Sequence, residues 1–215
     1  MKNRFDLIVF DWDGTLVDSV DWIVHCLKKA AGDQGCVIPK EQDVKDIIGL
    51  SLYKALDKLF PDLDETAQQR MVASYSEAFF SKKITKEDLF VGVNDMLLTF
   101  KQAGYQLAVA TGKSRHGLDK AMLGTGLENF FNITKCADET ASKPSPDMLD
   151  AIVREMNVSK ERVVMVGDST HDMQMAINAG IPSIAVLCGA NSQEQLQQYN
   201  PLLNLQQTTE LLKVL

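Results

Sequence analysis

The chain has no run of 18 apolar residues, so no transmembrane helix is expected. It opens Met1-Lys2-Asn3-Arg4 and passes straight into a short apolar segment, without the longer apolar stretch of a signal peptide. It has no CxxC pair. Cys26, Cys36, Cys136 and Cys188 are scattered, which suggests neither a zinc site nor a disulfide framework. They are expected as buried or semi-buried thiols in a reducing cytoplasm. Positive charge is also short: the net charge is −7, which disfavours a nucleic acid partner. No internal repeat or low-complexity segment is visible. A nucleotide loop is excluded as well, because the GxxxxGK pattern around Gly112-Lys113 requires glycine at position 107, where Leu107 stands.

What is present is an alternation. Five short apolar runs read as buried strands: Leu7–Phe10, Gln106–Ala110, Asn132–Cys136, Val163–Val166 and Ser183–Leu187. Helical patterns lie between most of them, over Gly92–Ala103, Pro146–Met156 and Thr170–Ala179. The pattern predicts an α/β fold, a Rossmann-like parallel sheet. One gap breaks it. A parallel crossover needs only about a dozen residues, yet residues 11–105 separate the first two strands. Most of this stretch reads as helix. Val20, Ile23, Val24 and Leu27 share one face; Val44, Ile47 and Ile48 begin a second helix. Leu52, Leu56 and Leu59 form a third, which Phe60-Pro61-Asp62 ends, and Thr66–Ser81 is a fourth. Residues 17–88 are therefore expected as an inserted helical cap, on a core of residues 1–16 and 89–215.

Ligands of parallel sheets sit beyond the carboxyl ends of the strands. The first strand ends in the segment FDWDGTLVDS, Phe10 to Ser19, with Asp11 and Asp13 one residue apart. The second ends in Thr111-Gly112-Lys113, and the fourth in Gly167-Asp168-Ser169-Thr170-His171-Asp172. Lys143 precedes the helix that leads into the fourth. Acids, a lysine and a threonine thus converge on one edge. Each residue has a plainer reading. Asp11 and Asp13 could be a helix cap and a turn residue. Asp168 and Asp172 could cap the next helix, Lys143 could be a solvated lysine, and Thr111 could simply end its strand. Lys113 is read as opening the next helix or, as the second reading, as lying near a bound anion, His171 as a helix-start residue, and Trp12 as a packing residue facing away from the acids.

Taken together, DxDGT at Asp11–Thr15, Thr111 after an apolar strand, Lys143 before a helix and GDxxxD at Gly167–Asp172 resemble the haloacid dehalogenase superfamily of phosphohydrolases. The branch with phosphoglycolate phosphatases, phosphonatases and β-phosphoglucomutases carries its cap at this point of the chain. The resemblance implies a phosphatase of a small phosphorylated metabolite, working through an aspartyl-phosphate. Phosphoglycolate, a sugar phosphate or a nucleoside monophosphate are the candidates. It implies Asp11 as nucleophile and Asp13 as general acid, then base. Thr111 and Lys143 would bind the phosphoryl oxygens, helped by Gly112, and Asp172 would orient Lys143 or a metal-bound water. Mg²⁺ would be held by Asp11, Asp168 and the backbone carbonyl of Asp13. Ser51 and Lys54, between two cap helices, are candidate substrate contacts or an ordinary interhelix turn. Hinges are expected near Leu16–Ser19 and Ile84–Val91. A monomer or homodimer without nucleic acid or membrane partners is expected. The alternatives are a phosphomutase, a signalling receiver domain and a catalytically silent phosphate-binding regulator. The DGT turn and the large helical insertion argue against the receiver.

Overall fold

A computed structural model describes residues 4–215; Met1–Asn3, assigned above to the core, lie outside the described residues. Six parallel strands form one sheet in the order β3-β2-β1-β4-β5-β6. They are β1 Leu7–Phe10, β2 Gln106–Thr111, β3 Ile133–Cys136, β4 Val163–Gly167, β5 Ser183–Val186 and β6 Asn204–Leu205. The first five are the predicted runs to within a residue. The two-residue β6 was not legible, because a segment that short carries no periodicity.

Side chains alternate across a strand, and both faces of this sheet are covered. Ile8 and Phe10 of β1 pack with Leu107 and Val109 of β2 and Val164 and Val166 of β4. Against them lie α5 Val93–Gln102 and α6 Arg115–Thr125, through Met96, Leu97 and Leu118. Leu7 and Val9 point the other way. With Ala108, Ala110, Val163 and Met165 they meet α7 Asp147–Met156 and α8 Thr170–Ala179. Burial on both faces is why the strands read as continuous apolar runs rather than alternating ones.

Between β1 and α5 stand four helices: α1 Val20–Asp33, α2 Glu41–Lys45, α3 Leu52–Leu59 and α4 Glu65–Phe80. They bury an apolar cluster of their own, including Val24, Leu27, Val44, Leu56 and Met71. The second helix is shorter than predicted. Ile47 and Ile48 were read as part of it, but the chain leaves α2 at Lys45 in successive tight turns, with Ile47 N–H donating to Val44 O and Ile48 N–H to Lys45 O. The two linkers to this insertion pair with each other: Asp18 N–H donates to Asp88 O at 2.8 Å and Phe90 N–H to Leu16 O at 3.1 Å. This short antiparallel ladder coincides with both predicted hinges.

The separate cluster makes a testable statement. Met71 is fully buried within it, and truncation of a buried methionine costs about 2–5 kcal/mol. Met71→Ala is expected to lower stability by that amount in urea unfolding. A loss below about 0.5 kcal/mol would show that the four helices do not pack as a core.

Candidate active site

The strand order reverses between β1 and β4, the position at which open α/β sheets bind ligands. Asp11 directly follows β1, and its N–H still donates to Val166 O at 2.9 Å. By strand parity it shares the face of Leu7 and Val9, toward α7 and α8. Those helices supply its neighbours, Lys143 from the turn before α7 and Asp172 from the first turn of α8. Trp12 has the opposite parity and is buried among the apolar residues of the other face, as expected.

The Lys143 ammonium, 0% exposed, lies 2.7 Å from Asp11 Oδ1 and 2.6 Å from Asp172 Oδ1. Asp172 Oδ2 accepts from Ser169 N–H at 3.0 Å and from Ser169 Oγ at 2.6 Å, which caps α8. Asp168 follows β4 and is held at both oxygens, Oδ1 by Thr15 Oγ1 at 2.7 Å and Oδ2 by Ala190 N–H at 2.7 Å. Carboxylate oxygens of Asp11, Asp168 and Asp172 all lie within 4.8 Å of one another. Gly14, with φ +76°, makes this crowding possible: a Cβ there would overlap the Asp168 carboxylate.

One atom in the cluster is unserved. Asp11 Oδ2 is buried and has no hydrogen-bond partner among the described residues, and Oδ1 meets Lys143 only as an ion pair. A buried carboxylate oxygen without a donor is costly. A hard cation with oxygen ligands would resolve it, and the all-carboxylate donor set fits such an ion. The titration of the cluster carries the same signature. Burial, then the charge of Asp172, holds the Asp11 carboxyl well above its ordinary range against the pull of Lys143. Burial and Asp172 push Asp168 up to about 7. Burial opposes the charge on Lys143, but Asp11 and Asp172 together raise its affinity for the proton above that of an ordinary lysine.

Asp13 stands apart from the three acids. Its Oδ1 accepts from Ser19 Oγ at 2.6 Å and lies 3.0 Å from Lys113 Nζ. Lys113 was read as opening a helix. It instead precedes the cap residue Ser114, and its side chain turns back to Asp13 and lies over the Phe79 ring, 4.5 Å from the centroid. No sequence signal marks Ser19 or Lys113 as partners of Asp13, since the pairing depends on how two loops fold over each other. Thr111 is fully buried and its Oγ1 accepts from Lys113 N–H at 3.2 Å.

Asp11 and Asp13 line a cavity of about 400 Å³ between the sheet edge and the four-helix insertion. Gly112 and Ser51 also line it. Ser51 caps α3 by accepting from Lys54 N–H, and its own N–H donates to Ser142 Oγ at 2.8 Å. Lys54 does not reach the cavity: it follows the cap on α3 and its side chain is exposed, away from the lining. His171 does start α8, as read, and its Nε2 also lies 3.0 Å from Asp46 O of the insertion. Asn191 and Gln195 donate to Asp46 Oδ1 at 3.3 and 3.1 Å. The insertion is thus latched over the sheet edge.

The raised Asp168 carboxyl has a consequence for stability. An unfolded aspartate titrates near 4, so the folded metal-free protein keeps a proton that the unfolded chain has lost. The stability this contributes is full below about pH 4 and is lost as pH rises through about 7. A divalent cation bound at this cluster would compete for the same oxygens. Added Mg²⁺ is expected to raise Tm by several degrees near pH 8 and by far less near pH 5. Equal gains at both pH values in a calorimetric scan would reject this competition.

Comparison with known proteins agrees with this geometry. Residues 8–186 match the model of a family described as haloacid dehalogenase-like hydrolase. The chain is 31% identical over 199 residues to the probable phosphatase IndB of Dickeya dadantii, covering 91% of this chain and 86% of that one. It is 31% identical over 207 residues to a phosphoglycolate phosphatase of Colwellia psychrerythraea, covering 91% and 90%. The crystal structure of a hydrolase from Pseudomonas syringae shares the fold, with a TM-score of 0.88, 21% identity and coverage of 98% and 97%. A buried carboxylate cluster at the sheet's switch point, on a chain matched along most of its length, leads to one conclusion: this protein belongs to the haloacid dehalogenase-like hydrolase family.

Proposed function

We propose that this protein is a phosphatase that hydrolyses a small phosphorylated metabolite through an aspartyl-phosphate on Asp11. The observation that carries the proposal is Asp11 itself. Its carboxylate lies at the floor of the cavity, with Lys143 at one oxygen and no protein donor at the other. A structural carboxylate would be satisfied on both sides.

Asp11 attacks phosphorus, and the bond to the ester oxygen breaks. Asp13 gives its proton to that oxygen as the alcohol leaves. As a carboxylate it then takes a proton from the water that attacks the aspartyl-phosphate, releasing inorganic phosphate and restoring Asp11. Ser19 and Lys113 position the Asp13 carboxylate in the cavity wall. Lys143 faces the growing charge on the phosphoryl oxygens, and Asp172 keeps its ammonium in place. Thr111 and the Gly112 backbone complete the phosphate pocket. Mg²⁺, held by Asp11, Asp168 and the Asp13 carbonyl, would supply the charge that lets a carboxylate approach a phosphate dianion.

Residues 17–88 act as the cap that closes over the substrate and excludes water. It approaches the core backbone closely at Gly112, where an added Cβ would stand 2.5 Å from Leu50 O and 2.6 Å from Gly49 O. The four free thiols suit a cytoplasmic enzyme.

Asp11→Asn is expected to lower phosphate release by roughly 10⁴-fold or more while the protein stays folded, and a chelator is expected to stop the wild type. A variant of unchanged rate would remove Asp11 from the nucleophile's place. Transfer of phosphate between sugar phosphates without release would point to a mutase. Gly112→Ala prevents full closure and is expected to reduce kcat/KM by about 10²-fold with circular dichroism unaltered; unchanged kcat/KM would refute the cap's role.

A further inference from the structure

The cavity has two unlike walls. The sheet edge supplies the ionisable side chains Asp11, Asp13, Lys113 and Asp138. The insertion supplies a wall without a charged side chain, dominated by Ile23, Ile48, Val72, Tyr75, Phe79 and Phe80. Lys113 is the one cation lining the cavity among the described residues, and it is engaged by Asp13 at 3.0 Å and by the Phe79 ring. A substrate with a second anionic group would bring that charge beside three aspartates, with no cation of the lining left to meet it. A polyol would exchange water for hydrocarbon and leave most of its hydroxyls unpaired.

The aromatic wall is ordered. Tyr75 stacks on Phe79 with centroids 5.7 Å apart and an interplanar angle of 23°, and Phe80 meets Phe79 edge-on at 5.6 Å. The Tyr75 hydroxyl forms no hydrogen bond among the described residues, so it is free to donate to a substrate oxygen. Burial and the nearby Asp13 charge hold its proton in place well above the ordinary phenol range. The volume, about 400 Å³, lies within the roughly 300–1,000 Å³ of pockets that enclose drug-sized ligands. It far exceeds the needs of a two-carbon acid.

Resting on the phosphatase reading, we propose that the substrate is a phosphate monoester of an uncharged aromatic alcohol, its ring packed against Tyr75, Phe79 and Phe80. The phosphate binds at Asp11 and Lys143, and the ring fills the apolar wall in the offset or edge-on contacts that aromatic pairs prefer. Selectivity comes from both walls. Apolar burial favours the ring, and the lining carboxyl groups of Asp11, Asp13 and Asp138, already engaged within the protein, offer nothing to a second anion.

The test is kcat/KM for benzyl phosphate, ethyl phosphate and phosphoglycolate with Mg²⁺. Benzyl and ethyl alcohols are leaving groups of similar basicity, so their ratio reports the ring. Benzyl phosphate is expected to exceed ethyl phosphate by roughly 50-fold, from about 100 Å² of buried apolar area, and to exceed phosphoglycolate by at least as much. Phosphoglycolate equal to or better than benzyl phosphate overturns the proposal and leaves the phosphatase reading standing. Ser76→Arg, which places a cation in the apolar wall, is expected to shift the ratio at least tenfold toward phosphoglycolate. An unmoved ratio would refute the contact of this wall with the organic group. Turnover of none of the three would sink the hydrolase reading instead. Calorimetric binding of the same esters to Asp11→Asn would then decide the cavity's preference by the same rank order.

Discussion

Everything at the sheet edge depends on one buried cation. The Lys143 ammonium sits between Asp11 and Asp172 with no access to water, and a third carboxylate, Asp168, lies beside the pair. Removing four charges from water is unfavourable unless each finds partners. The fold supplies them from separate places: Thr15 and the Ala190 N–H for Asp168, and the first turn of α8 for Asp172. Asp11 alone is left short at Oδ2. Burial first, and the charge of Asp172 after it, makes the Asp11 and Asp168 carboxyls hold their protons above the ordinary range. Three acids against one lysine make a donor set that fits a cation.

The insertion answers a different constraint. It carries its own apolar cluster and joins the core through the paired linkers at residues 16–18 and 88–90. It reaches the sheet edge through backbone at Gly49 and Leu50, against Gly112, and through the polar contacts of Asp46 with His171, Asn191 and Gln195. Its face toward the cavity is apolar and aromatic, while the sheet supplies the charges. Ionisable groups and apolar surface are thus divided between two parts of the chain.

Much of this arrangement was legible in the residues. The five buried runs become strands because both sheet faces are covered, and continuous apolar runs are what that burial requires. Thr170–Ala179 was read to the residue, since Ser169 and Asp172 form a capping box at its start. The order of acids, threonine and lysine along the chain located the sheet edge that carries them. Other features were hidden. Ile47 and Ile48 continue the helical pattern of Val44, yet the chain turns there to bring Gly49 over Gly112. Lys113 looked like a helix-start residue, but its partner Asp13 lies on a different strand end. Lys54 and Ser51 are near in sequence, yet Ser51, the cap of α3, lines the cavity while Lys54 is exposed and does not.

The sequence by itself determined the fold class, the place of the insertion and the identity of the polar residues at the strand ends. These follow from local periodicity and from the rule that parallel sheets present their strand ends together. Only the tertiary structure decided which oxygen of Asp11 is unserved, that Ser19 and Lys113 hold Asp13, and that the cavity wall opposite the charges is aromatic. Each of these is a distance between segments far apart in the chain. Periodicity says which way a side chain points from its own element, but not what another element brings to meet it.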